Sequence, residues 1–403
     1  MKPSARNHEF SADELVRYSR QLSLPGFGME GQHRLASARV LVVGAGGLGS
    51  PVLLYLAAAG VGTIGIVEFD RVDESNLHRQ ILYTSRDAGR PKIKVASERI
   101  IAANPNVSVQ CFGERLTSAN ALEIMQDFDL VIDGSDNFPT RYLVNDAAVL
   151  VGIPSVYGSI HRFEGQVSVF GAEDGPCYRC LFREPPPAGA IPNCAEAGVL
   201  GVLPGIIGTL QATEAIKLIA GIGDPLIGRL LLFDALAMSF RTIELRRDPE
   251  CPSCGISRSD TLVDYDATCE ANVEEIDGNG AQMRSTDDPR PEPVRAEGIA
   301  SITPVELAER LARRDELDLV DVREPYEWQI ARIPGARLVP LGQLLDDLGT
   351  FDAAREIVLY CKTGVRSLHA ARQLASAGIP RVVNLEGGIV RWRDDVDQSL
   401  PRY

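Results

Sequence analysis

The stretch from Val40 to Val67 contains no charged residue, and few folds can accommodate it. It is long enough to cross a bilayer as a helix. Yet it holds Pro51 and many glycines, and it divides into VLVV, a glycine turn GAGGLG, a longer apolar run PVLLYLAAAG and a third run TIGIV. Strand, turn, helix and strand in that order make a buried βαβ unit, whose parallel strands are apolar throughout because both faces are covered. That reading excludes a membrane span. The alternation continues through VSVQCF, LVIDGS, PSVYGSI and QVSVFG to GRLLLFDALAMSFRTIEL. It predicts an α/β fold, a Rossmann-like domain with a mostly parallel sheet, over residues 1–270.

Beyond residue 270 the composition changes. Residues 271–297 are polar and acidic, with Pro289, Pro291 and Pro293 and no apolar periodicity, as expected of a flexible linker between domains. A second, smaller α/β pattern occupies residues 298–403. There Thr303 and Glu306 have the spacing of a capping box before a helix, LDLVDVRE and EIVLYC are strands, and SLHAARQLASAG is a helix closed by Gly378. The net charge of −14 argues against nucleic acid as the main partner. The opening MKPSARNHEF lacks the apolar core of a signal peptide, so a cytoplasmic location is expected.

The glycine loop, Gly44 to Gly49, lets backbone N–H groups and a helix N-terminus approach a phosphate. By itself it suits an NAD-dependent oxidoreductase, with Glu68 or Asp70 on ribose hydroxyls. DRVDESNLHRQ then adds Asn76, Arg79 and Gln80, and GRPK adds Lys92. Two cations beside a glycine loop fit a triphosphate better than a dinucleotide. DGSDN places Asp133, Asp136 and Asn137 at the end of a further strand, where an aspartate can hold Mg²⁺ on phosphates.

In this order GAGGLG, SNLHRQ, GRPK and DGSDN resemble the ubiquitin-activating enzyme superfamily, and within it the bacterial adenylyltransferases that activate sulfur-carrier proteins for molybdopterin and thiamine synthesis. RYSRQLSLPGFGMEGQHRL is similar to the N-terminus of that group. The resemblance implies ATP and Mg²⁺ as cofactors. It implies a nucleotide site made of Gly44, Gly46, Gly47, Gly49, Glu68, Asp70, Ser75, Asn76, Arg79, Gln80, Lys92, Asp136 and Asn137. In it Glu68 takes the ribose position where relatives usually carry Asp, Arg79 contacts the triphosphate, and Asp136 binds Mg²⁺. It further implies a homodimer in which Arg20 reaches the partner's site. The substrate it implies is the C-terminal glycine of a small ubiquitin-like carrier ending in Gly-Gly. Such a carboxylate is already ionised at neutral pH, so positioning and charge stabilisation carry the catalysis, without a general base.

Eight cysteines are few for a disulfide framework in a chain of 403 residues. Cys177-x-x-Cys180 and Cys251-x-x-Cys254 together suit a closed tetrahedral Zn²⁺ site better than a redox pair. Cys194 lies in a loop before an apolar run. The family resemblance gives that position an acyl or disulfide intermediate, which leaves open an alternative function, a conjugation relay for ubiquitin-like modifiers. Cys111 is expected in the core, and Cys269 is assigned no role.

Cys361 stands where the strand EIVLY ends, before the loop KTGVR and a helix. DVREPYEW, RIPGA, CKTGVRS and LEGGIVRW resemble a rhodanese, a sulfurtransferase domain. The resemblance implies a persulfide on Cys361, an anion that a ring of backbone N–H groups would stabilise. A cysteine phosphatase is the rival reading, but it needs five residues between Cys and Arg. Here Lys362, Thr363, Gly364 and Val365 alone separate Cys361 from Arg366, and the smaller loop suits sulfur. Arg332 stands where most rhodaneses carry His. The two halves together imply an adenylyltransferase joined to a sulfurtransferase, fed by an upstream sulfur donor such as a cysteine desulfurase.

Overall fold

The computed structural model describes residues 8–401, apart from positions 173, 187–197, 257, 259, 264–298 and 353. Cys194, Cys269 and the segment read as a linker therefore lie outside the described residues. The chain divides into two compact units, Met1–Gly280 and Ala281–Tyr403.

The first unit opens with α1 (Ala12–Leu22), which Ser11 and Glu14 start as a reciprocal capping box, and α2 (Gly28–Ser37). The uncharged stretch folds as β1 (Arg39–Val43), α3 (Gly49–Ala59) and β2 (Thr63–Val67), and Val40, Leu41 and Val42 are fully buried. Next come α4 (Lys92–Ala103), β3 (Ser108–Phe112), α5 (Ala121–Met125), β4 (Leu130–Asp133), α6 (Phe138–Val151) and β5 (Ser155–His161). The strands β3, β2, β1, β4 and β5 run parallel in that order.

The sheet is then extended by antiparallel pairing of β6 (Glu164–Phe170), β7 (Arg229–Asp234) and β8 (Ser239–Glu244). Between β6 and β7 lie α7 (Tyr178–Leu181) and α8 (Leu203–Ala220), and α8 packs on β5, β6 and α3. Among the described residues, the apolar run after Cys194 is helical from Leu203 to Ala220. Cys111 corrects an expectation. β3 is the edge of the sheet, and its Cys111 side chain is exposed rather than part of the core.

The second unit has a parallel sheet in the order β11-β10-β12-β13-β9, in the whole-chain numbering. Its elements are β9 (Ala300–Ile302), α9 (Pro304–Ala312), β10 (Leu317–Asp321), α10 (Pro325–Ile330), β11 (Arg337–Leu338), β12 (Glu356–Tyr360), α11 (Val365–Ser376), β13 (Val382–Leu385) and α12 (Gly388–Asp395). At α9 one half of the expected capping box forms, Glu306 N–H donating to Thr303 Oγ1 at 3.3 Å. Both units carry their chemistry at the carboxyl ends of parallel strands, where loops can present it without disturbing the core. No helix among the described residues is long and apolar enough to cross a membrane.

Candidate nucleotide site, cysteine cluster and sulfur loop

In the first unit one cavity opens over the carboxyl ends of β1, β2, β3 and β4. Gly44, Gly46, Gly47, Glu68, Asp70, Arg79, Gln80, Lys92, Asp136 and Asn137 all line it. The turn out of β1 is tight: a Cβ on Gly49 would sit 2.0 Å from Gly44 O, so only glycine lets α3 start there. Two side chains brace the loop. Glu68 accepts from Ala45 N–H at 3.0 Å and from Asp70 N–H at 2.9 Å, and the Tyr83 hydroxyl donates to Ala45 O at 2.8 Å.

Lys92 is the first residue of α4, and that first turn contains no acidic residue. A cation at the positive end of a helix dipole is unfavourable unless an anion is bound beside it. Its ammonium is buried and meets Asp70 at 3.2 Å. Arg79 is held by Asn76, whose Oδ1 accepts from its guanidinium at 2.6 Å. Of the two aspartates near the end of β4, Asp136 is exposed and lines the cavity. Asp133 is buried and accepts from Ser135 N–H at 2.9 Å and Ser135 Oγ at 2.6 Å. Burial pushes its carboxyl up, against the lowering by Arg141 and those bonds, so Asp133 is poorly placed to hold a cation.

Four residues assigned from the sequence lie off the cavity lining, among them Asn76, which acts on it by holding Arg79. Ser75 donates its N–H and hydroxyl to Asp73, which caps a short turn, Gly49 packs the helix start, and Arg20 is exposed on the last turn of α1. The sequence reading missed Phe69, Arg115, Leu116, Thr140 and Arg141, which also line the cavity. Arg115 lies over the Phe69 ring at 4.8 Å, at the ends of neighbouring strands β3 and β2. Only the strand order brings those two together.

The four paired cysteines converge, with all sulfurs within 4.8 Å of one another. Cys177 and Cys251 are 3.5 Å apart, Cys180 and Cys254 3.4 Å, and Cys177 and Cys180 3.9 Å. A tetrahedron of sulfurs around zinc at about 2.3 Å has edges of roughly 3.8 Å, so the residues present fit that ion. Among themselves the thiols titrate unequally: bonding to Cys177 holds Cys180 well below the usual thiol range, and bonding to Cys180 raises Cys177. The N–H of Asp248 donates to Cys180 Sγ at 3.4 Å, as an anionic sulfur requires.

In the second unit Cys361 directly follows β12 and is fully buried. Gly364 N–H donates to its sulfur at 3.1 Å, and the Ser367 hydroxyl lies 3.4 Å from it. Gly364 adopts φ +95° to turn the chain into α11, a conformation that favours glycine. The start of α12 closes the other side, where Ile389 N–H donates to Cys361 O at 2.9 Å. Arg366 donates both outer nitrogens to Glu327 at 2.7 Å each, which fixes the loop rather than reaching the sulfur. Glu327, Ser367 and Asn384 had no role in the sequence reading, although Glu327 lies within the quoted PYEW. Arg332, where histidine is usual, lies over the Trp328 ring at 5.4 Å.

Residues 18–253 match the ThiF family, and residues 303–395 match the Rhodanese-like domain. The chain belongs to the ThiF family. It is 49% identical over 400 residues to a probable adenylyltransferase/sulfurtransferase MoeZ of Mycobacterium tuberculosis, covering 98% of this chain and 96% of that protein. It is 60% identical over 266 residues to a sulfur carrier protein adenylyltransferase of Thermus thermophilus, covering 64% of this chain and 98% of that one. Identity to adenylyltransferase and sulfurtransferase MOCS3 of Drosophila yakuba is 40% over 401 residues, 97% of this chain and 85% of the other. Among solved structures, E. coli MccB with MccA-N7isoASN superposes with a TM-score of 0.54 at 21% identity, over 63% of this chain and 77% of that one, which shows the fold alone. This ThiF-family chain is an enzyme that joins an adenylyltransferase domain to a rhodanese sulfurtransferase domain.

Proposed function

We propose that the first unit uses ATP to adenylate the C-terminal glycine of a ubiquitin-like sulfur-carrier protein, and that Cys361 then supplies the sulfur. The carrier carboxylate attacks the α-phosphorus and pyrophosphate leaves. The terminal sulfur of a Cys361 persulfide attacks the acyl carbon and AMP leaves, giving an acyl disulfide. A second thiol, from Cys194 or from solution, attacks Cys361 Sγ, forms a disulfide with it and expels the thiocarboxylate, and a further solution thiol reduces that disulfide before the next turnover. Arg79 and Lys92 would neutralise the triphosphate, and Asp136 and Asn137 would hold Mg²⁺ on it. Cys177, Cys180, Cys251 and Cys254 would hold Zn²⁺, whose place is structural. A homodimer in which Arg20 serves the partner's site, a cytoplasmic location and a cysteine desulfurase as sulfur source belong to the same reading.

The observation that carries this reading is the pairing on one chain of a cation-lined glycine-loop cavity with a buried cysteine in a four-residue loop. The test incubates the full-length protein with ATP, Mg²⁺, a persulfide source and a carrier ending in Gly-Gly, and weighs the carrier intact. The expected product is heavier by the exchange of one oxygen for sulfur. An unchanged carrier mass, or covalent adducts on other proteins in place of thiocarboxylate, overturns the proposal.

A further inference from the structure

Helix α6 serves two centres. Asp136 and the N-cap Asn137 precede it, and with Thr140 and Arg141 of its first turn they line the nucleotide cavity. Further along, the same helix is fastened to both cysteine knuckles. Asn145 Oδ1 accepts from the N–H of Tyr178, between Cys177 and Cys180, at 2.7 Å. Asn145 Nδ2 donates to the hydroxyl of Ser253, between Cys251 and Cys254, at 3.3 Å. Asn145, Tyr178 and Ser253 are all buried. Around this bridge Asp146 accepts from Arg179 at 2.9 and 3.1 Å, Tyr142 meets the Tyr178 ring at 5.1 Å, and Val149 packs against the cysteine cluster.

The two knuckles come from distant parts of the sequence, and four thiolates this close repel one another unless a cation lies between them. With a cation the knuckles close, and one amide can reach both. If they separate, Asn145 loses a buried hydrogen-bond partner and is left with an unsatisfied polar group. That loss falls on the helix whose first turn shapes the nucleotide cavity.

We propose that Asn145, through α6, couples the four-cysteine cluster to the nucleotide cavity, so that metal at the cysteines and ATP at the cavity each favour the other's binding. The inference rests on the reading of the cavity as an ATP site and of the cluster as a zinc site. Its two states are a closed pair of knuckles with α6 pinned by both bonds, and a parted pair with the first turn of α6 released. Because coupling between binding sites is reciprocal, either ligand can report it.

The experiment follows zinc leaving the zinc-loaded, full-length protein into a colorimetric chelator, with and without ATP and Mg²⁺. ATP is expected to slow release by about 5-fold or more, within the range of such couplings. In Asn145→Ala the slowing disappears. Ser253→Ala, which keeps the bond to Tyr178 and all four sulfurs, retains its zinc but shows a much smaller ATP effect. A purely structural role for these residues would change the release rates and leave the ratio with and without ATP unchanged. ATP added to Lys92→Met, whose cavity is damaged, should not slow release, which separates binding at the cavity from chelation of zinc by ATP. An equal wild-type rate with and without ATP, in protein that performs ATP–pyrophosphate exchange, overturns the coupling. So does a wild-type ratio in both variants. A wild-type protein with no exchange activity instead removes the ATP reading, and this inference with it.

Discussion

The guanidinium of Arg366 gives both outer nitrogens to Glu327 on α10, a residue whose side chain is only 4% exposed. Burial alone would raise the Glu327 carboxyl, but the bonds from Arg366 and the cap N–H of Glu324 outweigh it and hold the group below the ordinary value. A carboxylate lowered in this way contributes stability that is complete above the unfolded pKa and is lost as pH falls through the folded one. Glu327→Gln should therefore destabilise the second unit at neutral pH by about 1–3 kcal/mol, below the usual figure for breaking a buried pair because Arg366 is partly solvated. The gap to wild type should narrow as pH falls below the ordinary carboxylate range. Both tryptophans, Trp328 and Trp392, lie in this unit, so thermal unfolding followed by tryptophan fluorescence reads it directly. Sulfur transfer should fall about 10-fold as the loop loosens, while ATP–pyrophosphate exchange is unchanged. Equal loss of both activities would contradict the assignment.

At the scale of elements, α4 breaks a local rule in a way that points to its use. Its first turn carries Lys92 and no acid, the reverse of what a helix N-terminus favours. Lys92→Met keeps the apolar stem but removes the charge. It should lower ATP–pyrophosphate exchange about 100-fold, mainly through the KM for ATP, while Tm stays level or rises. A fall in Tm equal to that of a core truncation would show the lysine to be structural instead. What was legible in the sequence here was local. The glycine turn, the apolar runs of β1 and β2 and the N-cap of α9 follow from a few neighbouring residues. Strand order is not local, and so Arg115 was missed: it follows β3, and only the pairing of β3 with β2 sets it over Phe69. Cys111 failed as a core prediction for the same reason, because VSVQCF reads alike whether a strand is central or at an edge. The antiparallel run β6–β8 was also hidden, since an apolar strand does not declare the direction of its neighbour. The two cysteine pairs were legible because their spacing is itself a ligand geometry.

The scale of the whole molecule adds one argument that neither unit contains. An adenylate is labile in water, and a persulfide is open to attack by other thiols, so two separate enzymes would lose both intermediates to solvent. Two sites carried on one chain meet at an effective concentration on the order of millimolar for short tethers. Separate chains at micromolar concentration meet far less often. Asp136→Asn should abolish adenylation and spare Cys361, and Cys361→Ala should do the reverse. Each alone should form no thiocarboxylate on the carrier. An equimolar mixture of the two at about 1 μM should reach less than a tenth of the wild-type rate, and that fraction should rise as protein concentration rises. Recovery close to the wild-type rate at the lowest concentration would mean that activated carrier passes between chains, within the homodimer or through solution, and transfer within one chain would then not explain the joining of the two units. Persistent failure at high concentration would mean that transfer is confined within one chain. Intact mass of the carrier, taken over a series of enzyme concentrations, distinguishes the three outcomes.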